Sequence, residues 1–564
     1  MTERIGPEAW RTRYLHAQPW DTQFAPQSMP ELLAEAVEAH PDQVLSDFLG
    51  AELTYMQVAH EARRFAAGLQ ARGIGSGDRV GLFLPNVPTY LAAYFGAMMA
   101  GATVVNFSPL YTSEELSAQV ADSGTRLLVT LNVPALLPTA LKVLDGSGLE
   151  TVVVARLEAM LPRIKGWALR LFKRADLAEI PSRDGVLEWS KIVSDAEPSP
   201  VAIDPETDLA LLQYTGGTTG TPKGAMLTHQ NLTAVARQIN SIDPEKGARD
   251  VILGVLPFFH VFANACVLLR TVVNGGTIAM LPRFDAGQAL DTIKRVRPTA
   301  MPGVPTMYQA LLDHPKMDAT DFSSIRSCIS GGAPLAAPLK EEFERRAGTR
   351  LLEGYGLTET AGVVSTNPYD HGDRAGTIGQ PTPGTDVRLI DKEDPDKDVA
   401  SSEPGEIVIN GPQVMAGYWN RPDADGVTFV EREGKRWLRT GDIGEIDPDG
   451  FIRIVDRSKD MIAVGGFKVF PSQVEAVMVE NPAVKEALVI GVPNDYRGEM
   501  PRAFVTLNSD ERASAEELCE WLNARVGKHE RVDSVVLREE LPKTMVGKLD
   551  RKALRAELAA EKES

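Results

Sequence analysis

The chain has 564 residues, more than one hydrophobic core usually accommodates, so its length predicts at least two structural units. Its 59 basic and 77 acidic residues give a net charge of −18, which argues against a nucleic-acid binder because such proteins need an excess of Lys and Arg. Only three cysteines, with no apolar run behind a basic patch near Met1, predict a cytoplasmic protein without a secretory signal.

Short apolar runs alternate with helical patterns from residue 79 onward. Apolar and β-branched runs predict strands at 79–84, 102–105 and 126–130, and the spacing of apolar residues predicts helices at 90–100 and near 113–122. Strands that alternate with helices over such distances are typical of βαβ units. This part of the chain is therefore predicted to contain parallel sheet.

An amphipathic helix is predicted at 161–174. One face collects apolar side chains, and the other is basic, as in helices that lie on anionic membranes. We therefore predict peripheral contact with the inner face of a membrane. The alternative is an ordinary surface helix packed on its domain. The apolar residues are Ile164, Trp167, Ala168, Leu171 and Phe172, and the basic ones are Arg163, Arg170, Lys173 and Arg174.

A loop rich in glycine and threonine, residues 215–224, follows a buried strand predicted at 209–214. Its glycines allow close backbone approach, its hydroxyls suit phosphate oxygens, and Lys223 supplies positive charge. No Gly-Lys-Ser/Thr follows at Walker spacing, so the loop is not a Walker motif. A flexible linker would need neither the apolar strand nor the Pro222-Lys223-Gly224 sequence. The phosphate-binding candidates are Thr215, Gly216, Gly217, Thr218, Thr219, Gly220 and Lys223.

The segment 251–269 carries no Lys, Arg, Asp or Glu and is nearly long enough to span a bilayer. Pro257, His260 and Asn264 interrupt it, so a strand ending at Pro257 followed by a buried helix is the better interpretation. The alternating pattern then returns, with strands predicted at 278–282 and 299–302 around a helix at 288–296.

Beyond about residue 375 short strands and Gly/Pro turns predict a smaller β-rich unit, and the last hundred residues predict a compact α+β module. The predicted fold class is α/β. It comprises a large N-terminal domain (1–456) of two parallel or mixed βα-layered subdomains plus a β-rich subdomain, and a small mobile α+β C-terminal domain (457–564). The charged segment 456–460 is the predicted hinge.

Several motifs together resemble one family. The 214–224 segment resembles the signature of the acyl-adenylate-forming enzymes, which include acyl-CoA synthetases, luciferases and peptide-synthetase adenylation domains. In the same order as in that family, 352–360 resembles its adenylate-binding segment, 440–442 its ribose site and 542–548 its C-terminal lysine loop. The resemblance spans nearly the whole chain. Segments 104–112, 411–419 and 451–457 are most similar to bacterial long-chain fatty acyl-CoA synthetases.

The resemblance implies a ligase that uses ATP, Mg²⁺ and coenzyme A. Mg²⁺ prefers one or two carboxylates together with phosphates and water, which makes Glu359 the metal-ligand candidate, with Thr358 beside it for the α-phosphate. Lys548 is implied to stabilise charge during adenylation and to leave when the C-terminal module turns about Lys459. The remaining nucleotide candidates lie in the adenine, adenylate and ribose segments: Gly331, Gly332, Ala333, Glu353, Gly354, Tyr355, Gly356, Asp442 and Arg457.

The substrate is predicted from the uncharged segment around His260. A zwitterionic amino acid would leave its ammonium unpaired there, so an apolar fatty acid fits better. The resemblance makes His260 a gate between acyl and pantetheine channels, with a packed core histidine as the alternative. Other functions left open are a ligase for medium-chain or aryl acids, an acyl-AMP ligase serving a separate carrier protein, and a non-catalytic AMP- or acyl-binding scaffold.

Two departures from the family pattern stand out. Thr544 occupies a position where serine is usual, and 527–531 lacks a Tyr-Lys-x-Pro sequence, which leaves the coenzyme A contacts near Lys528 unassigned. Members of the family are often dimers, so a homodimer is compatible with the resemblance.

Overall fold

The structure is a computed structural model. It describes residues 9–215, 222–245, 249–370, 372–399, 403–457, 460–464, 467–494, 497–508, 512–544 and 549–563.

The strands of the described residues, in chain order, are β1 (Val44–Phe48), β2 (Ala51–Thr54), β3 (Arg79–Leu82), β4 (Thr103–Asn106), β5 (Leu127–Leu131), β6 (Thr151–Ala155), β7 (Val186–Glu188), β8 (Leu209–Thr215), β9 (Lys223–Thr228), β10 (Val251–Gly254), β11 (Thr277–Met280), β12 (Ala300–Gly303), β13 (Ser327–Ser330), β14 (Leu351–Tyr355), β15 (Ser365–Thr366), β16 (Gln380–Pro381), β17 (Asp386–Ile390), β18 (Gly405–Asn410), β19 (Gly417–Tyr418), β20 (Phe429–Arg432), β21 (Lys435–Ile446), β22 (Ile452–Arg457), β23 (Ile462–Val464), β24 (Phe467–Val469), β25 (Val484–Asn494), β26 (Gly498–Leu507) and β27 (Val535–Leu537).

The helices of the same residues are α1 (Met29–Ala39), α2 (Tyr55–Gln70), α3 (Pro88–Met99), α4 (Ser113–Ser123), α5 (Leu137–Gly146), α6 (Arg163–Phe172), α7 (Trp189–Ile192), α8 (His229–Ser241), α9 (Val261–Ala263), α10 (Arg270–Asn274), α11 (Ala286–Val296), α12 (Pro305–Leu312), α13 (Ala337–Ala347), α14 (Pro422–Thr428), α15 (Pro471–Met478), α16 (Ala515–Asn523) and α17 (Arg551–Glu563).

Two large mixed sheets form the first part of the molecule. Within the described ranges, one has the order β16-β15-β14-β13-β12-β10-β11-β1-β2 and the other β19-β9-β8-β4-β3-β5-β6-β7. The strands from β14 to β1 in the first sheet, and those from β8 to β7 in the second, run parallel. Antiparallel strands flank the first sheet at both edges, whereas the second sheet has them only at the edge formed by β9 and β19. Apolar side chains from both sheets and from the buried helix α3 belong to one continuous core. The strands and helices predicted between residues 79 and 130 correspond to β3 through β5.

Two smaller sheets complete the fold. An antiparallel sheet of β17, β18, β20, β21 and β22 buries Leu389, Ile407 and Ile452. The last sheet contains β23 to β27 and packs against α15 and α16 around a core of its own. The predicted fold class is confirmed. The domain boundary at 456/457 stays a prediction: β22 ends the third sheet at Arg457, and β23 begins the fourth at Ile462.

The uncharged segment 251–269 is divided between a strand and helical turns. The strand β10 ends at Gly254, so the prediction that it reaches Pro257 is wrong. Helix α9 is followed by a π-helical stretch, Asn264–Leu269, and then by α10. No helix among the described residues has both the length and the apolar character needed to cross a membrane.

Helix α6 lies on the surface with its apolar side chains pointing outward. The exposed fractions are 82% for Ile164, 63% for Trp167 and 78% for Phe172. The helix packs against the rest of the protein at Gly166, where an added Cβ would lie 2.3 Å from the carbonyl oxygen of Glu158. The apolar side chains are thus uncovered, and both membrane contact and the alternative of an ordinary surface helix stay predictions.

Candidate active site

The predicted nucleotide residues gather at the ends of strands from the two large sheets. Gly331 follows β13, and Gly354, Tyr355 and Gly356 lie at the end of β14, which is parallel to β13. Open sheets of this kind commonly bind ligands outside the carboxyl ends of their parallel strands. The fold therefore brings two segments that are separate in sequence to one edge.

The phosphate loop is the connection of a hairpin. Thr215 at the end of β8 pairs directly with Lys223 at the start of β9, so both side chains lie at the mouth of the loop. Gly216, Gly217, Thr218, Thr219 and Gly220 lie outside the described residues, and their phosphate contacts stay predictions.

Asp442 is a buried carboxylate held by two side chains. It is 2% exposed, and it lies opposite Arg457 in the β21–β22 pair. The Nε of Arg457 lies 3.1 Å from Oδ1, and the hydroxyl of Tyr355 donates to Oδ2. Burial and then the Asp442 carboxylate raise the pKa of Tyr355 well above its usual value, so the phenol remains a donor. Stacking of Tyr355 on adenine stays a prediction.

A tight turn follows β14 and carries Thr358 and Glu359. It begins at Gly356, where an added Cβ would lie 2.1 Å from the carbonyl oxygen of Gly362, so only glycine permits this approach. Thr358–Thr360 forms a 3-10 turn, and Ala361 ends it in the left-handed region at φ 52°. The close approach at Gly356 and the left-handed conformation of Ala361 thus fix the backbone that carries Glu359, the candidate metal ligand.

Glu359 contacts a tyrosine that the sequence analysis did not assign to the site. The hydroxyl of Tyr418 donates to Glu359 Oε1 at 2.5 Å, and Lys223 Nζ lies 5.1 Å from the centroid of the same ring. The structure therefore joins the phosphate hairpin to the metal-ligand candidate through one aromatic ring. In the sequence Tyr418 is part of the 411–419 family motif, which predicts no role for it in the site.

Residues 415–421, called the bridging segment below, place Tyr418. The amide of Met415 donates to the Glu359 carbonyl oxygen, and the amides of Ala416 and Trp419 donate to carbonyl oxygens of β9, all at 2.8–2.9 Å. The Arg421 guanidinium also binds the Asp122 carboxylate at 2.7 Å. The segment thus fastens the turn and the hairpin to each other.

Glu353 supports the adenine loop. Its Oε1 accepts a hydrogen bond from the Leu335 amide at 3.1 Å, which ties β14 to the loop that contains Gly331, Gly332 and Ala333. Burial raises the pKa of Glu353 to about 8, against the opposing effects of the Leu335 hydrogen bond and then of Lys340. Glu353 therefore supports the loop in this structure, and its contact with nucleotide stays a prediction.

His260 caps the short helix α9, where Nδ1 accepts from the amide of Phe262 at 3.3 Å. The Phe262 ring packs against Gly331, where an added Cβ would lie 3.0 Å from it. His260 therefore lies on the element next to the adenine loop. Its role as a gate stays a prediction.

Lys459 and Lys548 lie outside the described residues. The ends of the lysine loop are described: Lys543 forms a β-bridge with Leu549, and its Nζ lies 2.7 Å from Glu486 Oε1. These contacts fasten the base of the loop to β25.

Comparison with known proteins gives two family matches. The model described as AMP-binding enzyme matches residues 33–419, and the model described as AMP-binding enzyme C-terminal domain matches residues 473–548.

Individual relatives cover nearly the whole chain. A long-chain-fatty-acid–CoA ligase of Bacillus subtilis (strain 168) is 38% identical, covering 97% of each chain. A feruloyl-CoA synthase of an Amycolatopsis species is 36% identical over 89% of this chain and 93% of its own. The crystal structure of the anthranilate CoA ligase AuaEII in complex with anthranoyl-AMP matches with a TM-score of 0.83 at 26% identity, covering 96% of this chain and 99% of that one.

The buried Glu353 predicts a pH-dependent stability. Because its pKa rises from 4.5 to about 8 on folding, the fold favours the neutral acid, and this stabilisation is lost as pH rises through that window. We expect the melting temperature of Glu353→Gln, relative to the unmodified protein, to increase by several degrees between pH 5 and 9 in thermal scans. Glu341→Gln, on an exposed position of α13, is the control. Parallel curves for Glu353→Gln and the unmodified protein would contradict the assignment.

Proposed function

The chain belongs to the AMP-binding enzyme family, and on this basis we propose that it is a long-chain fatty acid–CoA ligase. It joins a fatty acid to ATP as acyl-AMP with release of pyrophosphate, and then transfers the acyl group to coenzyme A. The observation that carries the proposal is the joint placement of Asp442, Arg457 and Tyr355 beside the turn of Thr358 and Glu359. The full-length similarity to the Bacillus subtilis ligase supports the choice of substrate.

Adenylation requires positioning and charge compensation more than covalent help from the protein. An oxygen of the fatty-acid carboxylate attacks the α-phosphorus, the bond from that phosphorus to the bridging oxygen breaks, and pyrophosphate leaves. Asp442 accepts hydrogen bonds from the ribose hydroxyls, and Arg457 stays beside it as a further donor. Lys223 and Thr215 at the mouth of the hairpin neutralise and orient the phosphates.

The donor set at Glu359 fits Mg²⁺. Its carboxylate is a hard oxygen ligand, and Mg²⁺ is usually bound by one or two carboxylates with the rest of its shell from phosphate and water. Among the described residues no cluster of three or more His, Cys, Asp or Glu could hold a metal ion. When bound, the cation supplies charge neutralisation for the phosphates.

The second half-reaction uses the same acyl-AMP. The sulfur of coenzyme A attacks the acyl carbonyl, the thiol proton is released, and AMP leaves. We assign Lys548 to adenylation and Lys459 to the hinge, so that Arg457 stays with Asp442 while the part of the C-terminal module beyond Lys459 turns away. This division lets one nucleotide site serve two reactions.

The fatty-acid substrate is favoured by the uncharged 251–269 segment, which is buried around α9 and the π-helical stretch. An aryl acid is the second candidate, because a feruloyl-CoA synthase is 36% identical to the chain.

Membrane contact through α6 is also part of the proposal. Ile164, Trp167 and Phe172 form an outward apolar patch, and Lys173 and Arg174 at the helix end are exposed. Apolar insertion together with basic side chains is the arrangement that binds anionic bilayers. Such contact would give access to fatty acid dissolved in the bilayer.

A panel of acids distinguishes the substrates. With ATP and Mg²⁺, we expect pyrophosphate release to be greatest with palmitate rather than acetate, octanoate, benzoate or ferulate, and acyl-CoA to accumulate only when coenzyme A is added. A ferulate or benzoate maximum would keep the reaction and overturn the substrate. No release with any of these acids would favour a non-catalytic scaffold.

Lys548→Ala separates the two half-reactions. We expect pyrophosphate release to fall by at least about 100-fold, since a charge that acts in the transition state is removed, while transfer from supplied palmitoyl-AMP to coenzyme A continues. Lys552→Ala, at an exposed position of α17, should leave both reactions unchanged. Near-normal pyrophosphate release from Lys548→Ala would refute its role.

Charge and apolar substitutions test the membrane contact. Replacing Lys173 and Arg174 together by Gln should weaken binding to vesicles containing phosphatidylglycerol by about 30-fold, at about 1 kcal/mol for each basic residue. Trp167→Ser with Phe172→Ser should weaken binding to neutral and anionic vesicles alike. Co-sedimentation measures both, and equal binding by all variants would exclude α6 as the contact.

A further inference from the structure

Tyr418 touches both charged groups that flank the phosphate hairpin. Its hydroxyl donates to Glu359 Oε1 at 2.5 Å, and its ring faces Lys223 Nζ at 5.1 Å from the centroid. The side chain is buried, at 8% exposed. A phenol that donates to a carboxylate forms a charge-assisted hydrogen bond, stronger than one between neutral groups. The Lys223 ammonium is also attracted to the face of the ring by a cation–π interaction.

The backbone around Tyr418 allows the ring little freedom. Tyr418 pairs with Ala225 across the β9–β19 ladder, and its own amide donates to Asp425 Oδ1 at 2.8 Å. In the same segment, the Met415 amide donates a hydrogen bond to the Glu359 carbonyl oxygen. The donor and the acceptor of the phenol–carboxylate bond are therefore both fixed through one short segment.

We propose that Tyr418 is a positioning residue that fixes one oxygen of Glu359 and thereby orients the other toward a divalent cation bound with ATP. The inference rests on the proposed function and adds a residue to it. A carboxylate held at one oxygen has a defined plane, so its second oxygen meets the cation without first losing rotational freedom. Partners of this kind typically contribute about 10–100-fold to metal affinity or activity.

The test is Tyr418→Phe, which removes the hydroxyl and keeps the ring beneath Lys223. Mn²⁺ is titrated into protein saturated with a non-hydrolysable ATP analogue, and free Mn²⁺ is followed by electron paramagnetic resonance. We expect the half-saturating Mn²⁺ concentration to rise about tenfold or more. Binding of the analogue in EDTA should stay unchanged, since the ribose cluster is untouched.

Tyr55→Phe is the matched control, because its buried hydroxyl donates to the backbone oxygens of Thr271 and Gly276. It should lower the melting temperature without moving the Mn²⁺ titration. A double-mutant cycle of Tyr418→Phe with Glu359→Gln adds a second criterion: if Tyr418 acts through Glu359, the two effects on Mn²⁺ binding are not additive.

Additive effects, or an unchanged Mn²⁺ titration in Tyr418→Phe, would overturn the inference even if the protein makes acyl-AMP. Failure of the unmodified protein to release pyrophosphate with any acid, together with a shifted Mn²⁺ titration in Tyr418→Phe, would instead refute the proposed function and retain the positioning role. The two failures are therefore distinguishable.

Discussion

The hydrogen bonds of the bridging segment set the spacing on which the candidate site depends. The hairpin of β8 and β9 and the turn that carries Glu359 belong to different large sheets, and residues 415–421 bond to both. The same segment reaches Asp122 through Arg421, and Asp122 also accepts from the hydroxyl of Tyr214 at 2.6 Å. The hairpin and the Glu359 turn are thus held relative to each other by backbone hydrogen bonds, with the Asp122 contacts as side-chain support.

Two acidic residues near this site meet different electrostatic conditions. Asp442 has a guanidinium at 3.1 Å and a phenol donor, which compensate a buried charge. Glu353 accepts from a backbone amide, with Lys340 as a weaker influence, and burial raises its pKa to about 8. Asp442 therefore has a charged partner and a hydroxyl donor on its two oxygens, whereas Glu353 holds the loop through one backbone amide.

Much of the framework could be predicted because its signals are local. Alternating apolar runs identified β3 to β5, and motif order identified the segments around Asp442 and Glu359. The 411–419 motif contains Tyr418, but no local signal predicted its contact with Glu359, which lies 59 residues away in sequence. The pairing of β19 with β9 and the hydrogen bond from the Met415 amide to the Glu359 carbonyl oxygen bring the two residues together. The exposure of the apolar face of α6 could not be predicted either, because periodicity shows that a helix has an apolar face but not what covers it.

The proposed rotation of the C-terminal module would break contacts of the buried Asp456 carboxylate. Successive side chains of a strand point to opposite faces, so in β22 Arg457 reaches Asp442 while Asp456 faces the other way. The Asp456 Oδ2 accepts from the Ser472 amide at 2.7 Å, and Arg551 Nη1 lies 4.0 Å from its Oδ1. Rotation about 458–459 would keep the Arg457–Asp442 pair and take Ser472 and Arg551 away. Burial already raises the pKa of Asp456, so the loss of these donors would have to be offset by water or a new partner. The proposed rotation would therefore have to replace the partners of this buried carboxylate as well as respond to the ligand bound nearby.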